Sequence, residues 1–257
     1  MKIAIVFKGG VSKKIGSLEY PGQIDIESEF VNYKSAYNSF KKHIIDANQS
    51  HEIDTFIHCW HPELKEDLKE LYNPTQILTE QNSKYKAIIL YKLVISNCDK
   101  SCFATVSQAL SLKKVCEMTS KYCTERNFKY DLVLVYRLDL MLIKNMIFEE
   151  YDLNAITCNK WEGLKGDFHF VMNYENMLKF SKMYDNFSLD LQPVVHQCTR
   201  QYVSDILKLP YKDDDIVAGK HQEIMRKALN LVTHNHSSFE ELNQYGITRE
   251  EILSYNF

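Results

Sequence analysis

The feature that most constrains this chain is an uninterrupted apolar run, Leu132-Val133-Leu134-Val135-Tyr136, ending directly against Arg137-Leu138-Asp139. A strand with one wet face alternates apolar and polar residues, so a run without alternation reads as a strand covered on both faces. Ile3-Ala4-Ile5-Val6-Phe7 has the same texture and ends at Lys8-Gly9-Gly10. A third run, Ile53-Asp54-Thr55-Phe56-Ile57-His58-Cys59-Trp60, is closed by His61-Pro62. Between the first two, Phe30, Tyr33, Tyr37, Phe40, Ile44 and Ile45 recur at helical spacing over 28–49, with Ser28 as candidate N-cap. Buried strands alternating with helices predict an α/β fold: a doubly wound, mostly parallel central sheet with helices on both faces.

Further along, Leu64–Tyr72 reads as a short helix stopped before Pro74, and Thr75–Glu80 as a short strand. Residues 82–100 are ambiguous, with Ile88, Ile89, Leu90, Leu93 and Val94 fitting a helix somewhat better than a strand. Phe103–Thr124 carries one wide apolar stripe and reads as a helix. Past Asp139 the texture becomes mixed α/β: strands at Ile156–Asn159 and Asp167–Met172 flank a loop from Trp161 to Gly166. Helices follow at Tyr174–Tyr184, 197–208 and 219–230, with Asp213-Asp214-Asp215 between the last two. No repeat or low-complexity linker divides the chain, so 1–257 reads as one domain with a front half (1–140) and a back half (141–257) ending in a helical tail.

Composition narrows the class. Eight glycines and five prolines in 257 residues are too few for the frequent turns of an all-β fold. Lys+Arg of 31 against Asp+Glu of 34, a formal charge of −3, argues against nucleic acid or an anionic membrane as the main partner, since either would want a basic face. No stretch approaches the ~20 apolar residues of a membrane span, and the first apolar run is too short for a signal peptide. Seven scattered cysteines read as reduced, mostly buried thiols. Cys98 and Cys102 find no second pair at zinc spacing. These features together predict a cytoplasmic protein.

Ligands of a parallel sheet bind beyond the C-terminal ends of its strands. Three such ends collect polar groups: Lys8-Gly9-Gly10, His58-Cys59-Trp60 and Arg137-Leu138-Asp139. Gly9-Gly10 lets backbone approach a phosphate or forms a plain turn, and it lacks the spacing of dinucleotide and P-loop fingerprints. Asp139 is placed to bind a divalent cation and Arg137 to meet a phosphate, unless the two form a structural pair.

The ordered series Asp54–Trp60, Leu71-Tyr72-Asn73-Pro74 with Glu80, Ser107–Lys114, Tyr130-Asp131 through Leu140, and Asp167-Phe168-His169-Phe170 resembles the GT-A type glycosyltransferases of bacterial and large-virus surface-polysaccharide clusters. The resemblance spans roughly residues 1–185. It implies a GT-A-like sheet and transfer of a sugar from a nucleotide diphosphate donor to a glycan or lipid-linked acceptor, with Mn²⁺ or Mg²⁺ as cofactor and peripheral membrane contact allowed. In this family an Asp-x-Asp motif holds the cation. Here Arg137 stands at its first acidic position, which leaves Asp139 as the metal carboxylate and lets an arginine offset pyrophosphate charge.

By the same resemblance Asp167 is the candidate general base, or else holds donor-sugar hydroxyls; its alternative is a capping role. His169 shares its strand face as a supporting or a core residue. Ser107, Gln108 and Ser111 lie on one helical face, to bind donor or to close the helix on the sheet. His58 and Trp60 line the nucleotide pocket or pack in the core. His234 and His236 are a tail metal site or exposed loop residues, and Asp213–Asp215 a solvated helix start or a metal site. A non-catalytic nucleotide- or carbohydrate-binding module is the alternative function. A nucleotidyltransferase would want a Gly-rich basic first loop that this chain lacks.

Overall fold

The computed structural model describes residues 1–11, 33–98, 102–140, 142, 144–161, 164–188, 191 and 194–214. Among these, seven strands form one sheet: β1 (Lys2–Phe7), β2 (Glu52–Cys59), β3 (Gln76–Thr79), β4 (Leu132–Tyr136), β5 (Ile156–Trp161), β6 (Leu164–Met172) and β7 (Tyr211–Asp214). Their order is β3-β2-β1-β4-β6-β5-β7, with β6 antiparallel to β4 and β5 and the remaining pairs parallel. The fold is therefore α/β with a mostly parallel sheet.

Both faces of β1 and β4 are covered, which is why neither strand alternates. Ile3, Ile5, Phe7, Leu132, Leu134 and Tyr136 point to one face, under helices α1 (Tyr33–Phe40) and α2 (Lys65–Tyr72). Ala4, Val6, Val133 and Val135 point to the other, under α3 (Lys86–Ile95), α4 (Phe103–Arg126), α5 (Tyr174–Phe180) and α6 (Val195–Gln201). Helix α2 stops where Asn73 enters the left-handed region at φ 39° and donates its N–H to Lys69 O, one residue before Pro74. Helix α5 starts where Asn173 Oδ1 accepts from the Asn176 N–H at 2.8 Å.

The ambiguous stretch 82–100 contains helix α3, apolar on more than one face, which is why its period was unclear. The expected loop 161–166 is shorter: β6 already begins at Leu164 and forms a hairpin with β5. Asp213 and Asp214 are no helix start. They end β7, whose Tyr211–Asp214 pairs with Ile156–Asn159. The expected helix 197–208 is α6 followed by a π-helical turn, Tyr202–Ile206. Ser28, Asp215, the helix 219–230 and the His234/His236 pair lie outside the described residues.

The chain moves outward from β1 to β2 to β3, then returns through α4 to β4 on the far side of β1. The winding thus reverses between β1 and β4, and a crevice beyond their C-terminal ends is where open α/β sheets take ligands. The antiparallel register pairs Val135 with Phe170, so the first half of β6 runs on past the end of β4.

Phe7 anchors this end from beneath. It is fully buried and meets Phe40, Tyr72 and Tyr136 edge-on, with ring centroids at 5.2, 4.8 and 5.8 Å. Replacing Phe7 by Ala should cost about 3–5 kcal/mol, the usual range for emptying an aromatic site. It should appear as a lower urea midpoint with an unchanged slope.

Candidate functional site

Four ionisable side chains gather where β1, β4 and β6 meet. Lys8 continues the face of Ala4 and Val6 and is buried. Arg137 follows β4 directly, and its Nε and Nη2 both donate to Asp139, to Oδ1 and Oδ2, at 2.9 Å each. Asp167, also buried, stands on the part of β6 that overruns β4 and acts electrostatically on both cations. Phe168 beside it lies 5.5 Å from the Arg137 guanidinium.

Burial pushes the Lys8 ammonium down to about 8, against the attraction of Asp167 and Asp139 and with the repulsion of Arg137. Burial also opposes the charge on Arg137, but the Asp139 carboxylate, helped by Asp167, outweighs it and raises its pKa. Charges taken out of water are tolerable only when paired like this. Asp139 departs from the expected open carboxylate: its side chain is fully buried, whereas Arg137 keeps 16% exposure.

The loop after β1 is held from every side. The Lys8 N–H donates to Tyr136 O, and the Trp60 N–H to Gly9 O, both at 3.0 Å. Gly9 sits at φ +96°, a conformation that requires glycine. At Gly10 a Cβ would come within 2.7 Å of His61 Nε2, so close approach of that ring explains the second glycine.

The Gly9 N–H donates to Ser111 Oγ at 2.6 Å, and Ser111 Oγ lies 2.7 Å from His58 Nδ1. His58 Nε2 lies 3.1 Å from Glu80 Oε2. An ionised Glu80 only accepts, so Nε2 carries the proton and Nδ1 accepts from the Ser111 hydroxyl. The Lys114 ammonium bonds Glu80 Oε2 at 2.7 Å, and the Tyr85 hydroxyl donates to Glu80 Oε1. Gln108 Oε1 accepts from Lys8 Nζ at 3.0 Å.

Ser107, Ser111 and Lys114 recur at i, i+4, i+7 on α4, which turns one polar strip toward the sheet. His58 and Ser111, read as donor-binding or else as packing residues, are fully buried, and Ser111, bonded to His58, holds the Gly9 N–H. Trp60 packs in the core, edge-on to His58 at 4.4 Å, and its indole N–H finds no partner among the described residues. His169 is not joined to Asp167. Its Nε2 lies 2.7 Å from Asp214 Oδ2 on β7, which also accepts from the Tyr151 hydroxyl.

The roles of Glu80, Lys114 and Tyr85 escaped the sequence reading. The signal for Lys114 was its place one turn after Ser111, but nothing local ties Glu80 to a histidine 22 residues earlier.

No family model matches the chain, and no curated protein matches it. Among solved structures it has a likeness to a "putative nucleotide-diphospho-sugar transferase" from Desulfovibrio desulfuricans G20. The TM-score is 0.40 and the identity 11%, over 99% of this chain and 97% of that one. A likeness of that size leaves the site to be read from its own geometry.

The relay makes a pH prediction. Burial lowers His58 to about 4, although Glu80 pulls it up. The unfolded chain, with a histidine near its ordinary 6.5, takes up that proton first. Stability is therefore lost as pH falls from about 6.5 to about 4, by about 3 kcal/mol from this group. For Glu80, burial pushes the carboxyl up, but its bonds to Lys114, Tyr85 and His58 prevail and lower it. Its own contribution goes only at more acid pH. Denaturant melts from pH 7 to 4 should show a shallower decline for His58→Gln than for the native chain.

Proposed function

We propose that the chain is a glycosyltransferase that holds a nucleotide diphosphate sugar over the switch point between β1 and β4 and passes the sugar to a glycan or lipid-linked acceptor. The observation that carries this reading is the gathering of buried Lys8, Asp139 and Asp167 with the part-exposed Arg137 at that one place in the sheet. Two cations beside a backbone turn of two glycines suit a diphosphate in charge. Arg137 spends Nε and Nη2 on Asp139, which leaves Nη1 for a phosphate oxygen. Lys8 gives one donor to Gln108, which leaves two.

In an inverting transfer the acceptor oxygen attacks the anomeric carbon. The bond from that carbon to the β-phosphate oxygen breaks, and its electron pair leaves with the nucleoside diphosphate. Fixed positive charge at that oxygen stabilises the charge developing in the transition state. Asp167 is the candidate to take the acceptor proton.

The divalent cation expected at Asp139 suits the residues poorly. Both carboxylate oxygens accept from Arg137, and the side chain is closed to solvent. Among the described residues no three acids, histidines or cysteines converge as metal ligands, and Mg²⁺ wants several oxygens in octahedral array. The charge on a diphosphate falls instead to Lys8 and Arg137. The closed Arg137–Asp139 pair also favours a second reading, a binding module without turnover.

Calorimetric titration with UDP, GDP and ADP should find one that binds equally with Mn²⁺ and with EDTA. Strict dependence on Mn²⁺ would restore Asp139 as a metal carboxylate, and no binding at all would sink the transferase reading. Lys8→Met should lower the melting temperature, since it takes one cation from a buried charge group and leaves Asp167 and Gln108 without it. It should abolish diphosphate binding.

A donor screen by nucleotide-sugar hydrolysis separates the two readings. With Asp167→Asn, a transferase should lose about 10²–10⁴-fold in turnover while keeping its diphosphate affinity. A binding module shows no turnover with any donor.

A further inference from the structure

Three of the seven cysteines come together on the face of the sheet that α3, α4 and α6 cover. Cys98 lies just beyond the end of α3, Cys102 is the residue before α4, and Cys198 is on α6. The Cys98 and Cys102 side chains are hydrogen-bonded to each other, and both act electrostatically on Cys198. None of the seven is bridged; six are buried and Cys98 is half-buried.

Cys98 is held from two sides. Its N–H donates to Leu93 O at 2.9 Å, and its thiol reaches Ser96 O at 3.3 Å. Ser96 Oγ donates in turn to Phe187 O at 2.9 Å, which ties the end of α3 to the chain beyond α5. These bonds keep the Cys98 sulfur beside Cys102 instead of leaving it to turn into solvent.

We infer that Cys98 and Cys102 are a modification site, which a hydroperoxide closes into a reversible disulfide. Cys98, the thiol that reaches solvent, attacks hydrogen peroxide as its thiolate. The O–O bond breaks, Cys98 becomes a sulfenic acid, and the departing hydroxide takes the thiol's proton to give one water. The Cys102 sulfur then attacks Cys98, the S–O bond breaks, and the hydroxyl leaves with the Cys102 proton as a second water. The two thiols thus give up two protons and two electrons, and the peroxide takes up both. A dithiol reductant reopens the bridge by exchange.

Burial, and after it the Cys102 thiol, raises the pKa of Cys98. Thiolate is therefore scarce at neutral pH and closure is slow, because the thiolate is the attacking form. How far the pair closes is a separate matter. Two sulfurs already in contact lose little freedom when they bond, which favours the disulfide at equilibrium. Cys198 is fully buried and makes no first encounter with an oxidant, and among the described residues these thiols do not converge as metal ligands. The inference stands apart from the transferase reading, and its test needs no sugar donor.

The experiment is peptide mapping of the full chain after hydrogen peroxide in native buffer, with the remaining thiols alkylated. Trypsin cuts after Lys92 and Lys100, so residues 93–100 and 101–113 separate unless a disulfide joins them. Mass spectrometry should find these two peptides linked, and dithiothreitol should release them. Cys198→Ser should leave the link intact. Cys102→Ser should strand the sulfenic acid on Cys98, where dimedone labels it, whereas Cys98→Ser should lose both the link and the label.

Absence of the linked peptides overturns the proposal, as does a link from Cys98 to Cys198. So does a link that forms only once urea unfolds the chain, since the contact would then owe nothing to the fold. Passage of Cys98 to sulfinic acid in the native chain, with Cys102 still a thiol, overturns it too. Should a variant fail to fold, the map of the native chain decides by itself.

Discussion

The arrangement at the C-terminal end of the sheet depends on the pairing of Arg137 with Asp139. Two strands buried on both faces end side by side, and each delivers a cation into surroundings that resist charge. A lone guanidinium there would be costly, and a lone carboxylate more so. Joined by two parallel bonds, they stay ionised, while Asp167 holds up the Lys8 ammonium that burial and the Arg137 charge pull down. A core chosen for stability alone would not need this group of charges. Its cost is the reason to look for function at this position rather than elsewhere along the sheet.

The same end of the sheet carries a second network of the opposite character. From Gly9 through Ser111 and His58 the relay is uncharged, and its charge is deferred to Glu80 and Lys114, where solvent is partly present. A neutral imidazole with one donor and one acceptor fits between a hydroxyl and a carboxylate with no proton left over. Burial that lowers the histidine's basicity reinforces the tautomer that the chain of bonds requires. The network is thus self-consistent at neutral pH and fixes a backbone N–H rather than offering a side chain to a ligand.

Much of this was legible in the residues. The unalternating runs Ile3–Phe7 and Leu132–Tyr136 demanded strands covered on both faces, and Arg137 and Asp139 stood out because charge at the end of such a strand must have a partner. That the partner is the neighbour two residues away, with the carboxylate closed in, was one of two alternatives that spacing alone left open. Glu80 was not legible as His58's partner, because the contact depends on β3 lying beside β2, a matter of tertiary register. β7 was missed for a similar reason. Tyr211-Lys212-Asp213-Asp214 is too polar to read as a strand until an edge position beside β5 accounts for its polarity. His169 illustrates a limit of face arithmetic: it shares strand parity with Asp167, yet a shift in the β5–β6 register after Cys158 accompanies its pairing with Asp214 instead.

Rigidity is the property these two networks share, and it bears on what the site can do. Lys8, Gly9 and Trp60 are bonded through their backbone to Tyr136, Ser111 and Gly9, so the loop after β1 is fixed to β4, to α4 and to the end of β2 at once. A diphosphate bound there would meet donors already in place, and little ordering entropy would be lost on binding. Side chains mounted on strand ends and braced by a 24-residue helix hold their geometry better than those on a mobile loop. Such preorganisation matters most where charge develops during a reaction, because donors that must first reorient lose part of what they would contribute to the transition state.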